Sequence, residues 1–188
     1  MRFALASLSG ALATLATAGF AECPAAPDHG EEVAAVLSEI RAAETEGVAR
    51  VLGNSLWELW TDAPDEAAQA LLNRGMSRRS GFDFLGALED LDALVAYCPA
   101  YAEGYNQRAF VYYLQRDFAA ALRDLDRALA LSPNHVAALS GRALSLYGLS
   151  QLPEAKAALE AALALNPWLP ERHLLAPGGP LHTLGQDI

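Results

Sequence analysis

Three prolines, Pro99, Pro133 and Pro167, recur at a constant interval of 34 residues, and other columns keep that interval without a gap. Gly75, Ala109 and Ala143 form one column, Ala87, Ala121 and Ala155 a second, and Leu91, Leu125 and Leu159 a third. A fixed period of this length marks a chain that stacks copies of one supersecondary unit, each burying its apolar face on the next. Composition says what the unit is made of: 39 alanines and 32 leucines stand against 7 valines, 2 isoleucines and 5 threonines. That balance favours helices and all but excludes a β protein. The small columns let two helices approach closely, and the leucine four residues after the second fills their seam. Proline then stops the second helix.

Placing the proline at repeat position 32 sets the repeats at 68–101, 102–135 and 136–169. The second, with Tyr105, Ala109, Tyr112, Ala121, Leu125, Ala128 and Pro133, resembles the tetratricopeptide repeat, an antiparallel helix pair with small residues at repeat positions 8 and 20. The resemblance implies an all-α fold, an α-solenoid of three such hairpins. Two repeats depart from the family's tyrosine at position 11, with Arg78 in the first and Leu146 in the third. The first repeat is therefore expected to be tilted or packed on something acidic.

Residues 22–67 and 170–188 flank the repeats. Val33, Val36, Leu37 and Ile40 share one helical stripe and Val48, Val51, Leu52, Leu56 and Leu59 another, with Gly47 as the expected break. This pair lacks the small columns and reads as an N-terminal helical cap, with Trp57 and Trp60 covering the start of the first repeat, because an end repeat otherwise exposes an apolar face. In the tail, a helical turn near Pro170–Leu175 precedes an irregular end whose Leu174, Leu175, Leu181 and Leu184 either pack over the last repeat or lie in the groove.

Residues 1–21 read as a signal peptide: Arg2, then an uncharged Phe3–Phe20 run, then small residues before a cut after Ala21 or Ala18. An uncleaved anchor is the alternative, and no second apolar run is long enough to span a membrane. The implied location is exported and periplasmic. An oxidising compartment favours pairing of the two cysteines, Cys23 and Cys98. Such a bridge closes a loop of about 75 residues and is worth about 4–5 kcal/mol in the chain-entropy model. Two separate thiols, with Cys98 a packing residue, is the other reading.

Net charge is -10, which repels nucleic acid and anionic lipid. The chain has no HExxH run, no CxxC pair, no phosphate-cradling glycine loop and no GxSxG elbow, and its four histidines are scattered. No metal, cofactor or enzymatic activity is expected. Arginine recurs at repeat position 7 as Arg74, Arg108 and Arg142. Asp90 and Asp124, on the facing helix, are expected to pair with the first two; the third meets Ala158 there, leaving Arg142 as a ligand candidate.

The resemblance also implies a concave groove lined by the first helix of each repeat. Its residues would be Gln69, Leu72, Met76 and Arg79, then Glu103, Asn106, Phe110 and Tyr113, then Ala137, Ser140, Leu144 and Tyr147. Of these, Met76, Arg79, Asn106, Phe110, Tyr113 and Tyr147, with Arg142, are the expected contacts for a peptide or partner protein. Phe110, Tyr113 and Tyr147 offer rigid area and Asn106 a main-chain hydrogen bond. Leu72, Met76, Ala137 and Gly141 stand where relatives carry a clamp for a C-terminal carboxylate, and only Asn106 of that clamp is present. The expected function is protein interaction, with self-association as a structural scaffold the alternative.

Overall fold

In the computed structural model, residues 22–182 are described; the signal-peptide reading of 1–21 and Leu184 lie outside them. Eight α-helices are present among the described residues: α1 (Gly30–Ala42), α2 (Glu46–Trp60), α3 (Glu66–Ser80), α4 (Phe84–Tyr97), α5 (Ala102–Leu114), α6 (Phe118–Leu131), α7 (Val136–Gly148) and α8 (Leu152–Leu165). A short 3-10 helix, Pro170–Leu174, follows.

Helices α3–α4, α5–α6 and α7–α8 are the three hairpins, and Pro99, Pro133 and Pro167 occupy the same place in the turn after each second helix. Leu91, Leu125 and Leu159 are buried against the small columns. At Gly75 the fit leaves no room for a methyl group, because a Cβ there would stand 2.7 Å from Leu91 Cγ. Side-chain caps start the helices: Asp65 accepts from the Ala68 amide at 2.8 Å, Asp83 from Gly86 at 3.0 Å and Asp117 from Ala120 at 3.0 Å. The turn inside each hairpin also repeats, since Phe82, Arg116 and Ser150, again 34 residues apart, hold left-handed φ values of 62°, 64° and 60°.

The first helices α3, α5 and α7 touch their neighbours directly, which makes them the inner, concave layer. Arg78 meets Asp90 at 3.2 Å and donates to the Gly86 carbonyl at 2.8 Å, both on the facing helix of its own repeat. The tail packs over the last repeat, where Leu174 and Leu181 join Leu146, Ala158 and Leu159 in one core. Cys23 and Cys98 are bonded, with their Cα atoms 5.2 Å apart.

The N-terminal hairpin differs from its expected place. The break falls at 43–45, where Thr45 caps α2 by accepting from the Val48 amide, and Gly47 lies inside the helix. Leu37, Ile40, Ala49 and Leu56 pack with Val136, Leu165, Trp168 and Leu169, so α1–α2 reaches across to the third repeat. The start of the first repeat is covered by Cys23, Ala26 and Ala63 instead. Specific contacts hold this crossing. Trp60 stacks on His135, the Tyr101 hydroxyl donates to the Trp60 carbonyl at 2.8 Å, and Arg172 pairs with Glu46 at 2.8 Å.

Candidate functional site

With α1–α2 laid over the end of the concave face where α5 and α7 begin, the groove narrows to a cavity of about 290 Å³. Phe110, Tyr113 and Asn106 of α5 face Ala137, Ser140 and Leu144 of α7 across it, while Trp57 of α2 and the 169–171 segment form the remaining wall. Phe110 and Trp57 remain 44% and 40% exposed, so their rings are available to a guest. The lining is mostly apolar with a few polar atoms, the mixture that suits an extended peptide side chain.

Beneath the cavity lies a buried polar network. Glu103 and His135 are each 1% exposed. The Ala138 amide donates to His135 Nδ1 at 3.3 Å, which leaves the ring proton on Nε2, 2.8 Å from Glu103 Oε2. Asn106 Nδ2 donates to the same carboxylate at 3.0 Å, and Gln107 donates to its other oxygen. Arg79 donates to Gln107 and stacks 4.5 Å from the Phe110 centroid. Burial lowers the pKa of Arg79, partly offset by the Glu103 charge. Three donors on one carboxylate compensate its loss of water, and together these contacts fix the floor of the cavity.

The expected site residues therefore separate. Phe110 and Tyr113 line the cavity together, Arg79 supports it from behind, and Asn106, though in the lining, is buried with its amide donating to Glu103 in place of the guest main chain expected of it. Tyr147 is exposed and shares with Tyr113 a second, shallower depression toward the other end of the groove. Met76 packs against the core of the first repeat, where Leu72 is fully buried, and Glu103 belongs to the buried network.

Arg142 is not the unpaired cation expected of it: its Nε donates to Asp126 at 2.7 Å. That partner precedes it by 16 residues, the offset by which Arg108 reaches Asp92 at 2.8 Å. Arg108 also grips Asp124 through Nε and NH2, both at 2.7 Å, and these bonds raise its pKa. Arg74 meets Asp90 at 3.0 Å. The arginine column thus holds helices together.

Trp57, Pro170 and Glu171 line the cavity from segments outside the three repeats, so repeat arithmetic does not supply them. The signal available for them is the Trp57 and Trp60 pair, two large rings on a single helix face. Among the described residues no group of histidine, cysteine, aspartate or glutamate is arranged to hold a metal ion, and no helix is long and apolar enough to cross a membrane.

Residues 102–135 match the family model described as tetratricopeptide repeat. No curated protein sequence matches the chain. Among solved structures, it is similar to the first TPR of Spaghetti (RPAP3) bound to HSP90 peptide SRMEEVD, with 26% identity and a TM-score of 0.53 over 54% of this chain and 81% of that one. The second TPR domain of human RPAP3, in complex with HSP70 peptide SGPTIEEVD, is 25% identical with a TM-score of 0.54, covering 56% of this chain and 88% of that one. The Arabidopsis OM64 TPR domain shares the fold at 24% identity, with a TM-score of 0.55 over 56% and 87% of the two chains. The described residues thus have the hairpin fold of tetratricopeptide-repeat domains, and residues 102–135 carry that family's repeat pattern.

Proposed function

We propose that this chain is an exported protein-interaction module of the bacterial envelope that holds a polypeptide segment on its concave face. The observation that carries the reading is the mostly apolar cavity between α5 and α7, with the exposed rings of Phe110 and Trp57 at its wall. Likeness to domains seen with bound peptides supports it. The Phe3–Phe20 run and the Cys23–Cys98 bridge support export to an oxidising, periplasmic location. With α1–α2 over one end, the guest enters from the side where Tyr113 and Tyr147 remain open.

The mechanism is capture by shape and burial. Buried apolar area contributes about 25 cal/mol per Å² before ordering costs, and a floor fixed by the Glu103 network keeps those costs low. Titrating short apolar peptides against tryptophan fluorescence tests the reading, with Trp57 the ring that reports contact. The Phe110→Ala/Tyr113→Ala double variant is expected to lose binding while its far-ultraviolet circular dichroism stays unchanged. Retained binding by a folded double variant would overturn the proposal.

A further inference from the structure

The cavity carries a chemical bias beyond its apolar walls. Ser140, 6% exposed, has its hydroxyl buried without a hydrogen-bond partner among the described residues, and it lines the cavity. So does Glu171, whose Oε2 is likewise buried and unpartnered. Burying such an oxygen without a donor costs about 1–3 kcal/mol, more when it is charged. The nearby arginines do not meet this need. Arg79 is committed to Gln107 and the Phe110 ring. Arg172, beside Glu171 in sequence, turns to Glu46 at 2.8 Å and to the Trp168 carbonyl at 2.7 Å. The cavity lining thus includes a carboxylate and a hydroxyl that lack a donor, on a chain whose net charge is -10.

We infer that this cavity takes a lysine or arginine side chain from an otherwise apolar peptide segment. The aliphatic stem lies against Trp57, Phe110 and Leu144, and the charged head donates to the Glu171 carboxylate and the Ser140 hydroxyl. Long cationic side chains suit this division, with an apolar stem for the walls and donors at the tip. The aromatic rings at the entrance add attraction for a cation. The inference rests on the proposed peptide-binding role and specifies the ligand for it.

The test uses the full chain with its disulfide intact and four short peptides blocked at both ends. They are identical leucine and alanine sequences except for a central lysine, arginine, norleucine or glutamate, and calorimetry measures their binding. The lysine and arginine peptides are expected to bind about tenfold more tightly than the norleucine peptide, the scale of one charge-assisted hydrogen bond. Glu171→Gln is expected to remove most of that preference, narrowing the lysine-to-norleucine affinity ratio measured on the same variant, a readout that global unfolding would not produce. Equal affinity for lysine and norleucine, or preference for glutamate, overturns the cationic assignment and leaves the peptide-binding role standing. No binding by any of the four overturns both.

Discussion

Trp60 lies stacked on His135, ring centroids 4.1 Å apart and planes 14° from parallel, joining the last turn of α2 to the first residue before α7. The contact ties the N-terminal hairpin to the polar network under the groove, because the same imidazole holds Glu103.

Replacing His135 with alanine removes the stacking partner, the α7 cap and one of three donors to a buried carboxylate. We expect a loss of about 3 kcal/mol in urea unfolding, with Trp60 emission moving to longer wavelength in the folded state. A stability change under about 0.5 kcal/mol would show that the pair is replaceable.

The arginine column gives a graded expectation. Arg108→Ala leaves Asp124, 6% exposed, without its two bonds, and should cost about 2–4 kcal/mol. Arg142→Ala breaks one bond between partly exposed partners and should cost less than about 1 kcal/mol. Equilibrium denaturation of both variants checks the ordering; equal losses would contradict it.

Arg116 is exposed and holds φ 64°. Glycine adopts that conformation without steric cost, so Arg116→Gly should raise stability by about 1 kcal/mol, read as a higher melting temperature. The opposite sign would mean that unfolded-state entropy outweighs the strain.

Asp65 caps α3, and the Ala68 amide, followed by the Tyr97 hydroxyl at 2.6 Å, lowers its pKa. A lowered folded pKa contributes stability that is present above the unfolded carboxylate value and lost as pH falls through the folded one. Asp65→Asn should therefore be less stable than the parent at neutral pH, and the gap should begin to narrow as pH drops below about 4 and vanish only below the lowered folded value. Thermal melts across that range test the sign.

The repeat frame was legible in the sequence because it is written three times: Pro99, Pro133 and Pro167 carry the turns, and Leu91, Leu125 and Leu159 fill the seams. Phe110, Tyr113 and Asn106 followed from that frame once the inner helices were known. The Arg142 partner was not legible because Asp90 and Asp124 point 16 residues forward, where Arg142 meets Ala158, whereas an arginine at this position also reaches 16 residues back. Arg108, bonded both to Asp92 and to Asp124, uses both directions at once. The docking of α1–α2 was not legible, since Leu37, Ile40 and Leu56 form a stripe that fits any apolar surface. Its place is set by pairings such as Arg172 with Glu46, 126 residues apart in sequence, which no local pattern encodes.

A solenoid with free ends can fray, since each unit answers only to its neighbour. Here the segment entering α1 is riveted by Cys23 to Cys98 at the close of the first hairpin, while the body of α1–α2 rests on Val136, Leu165 and Trp168 of the third. The hairpin acts as a strut between the two extremes of the array. Its curvature is thereby fixed, and a stack that could melt in instalments becomes one that holds or fails as a whole.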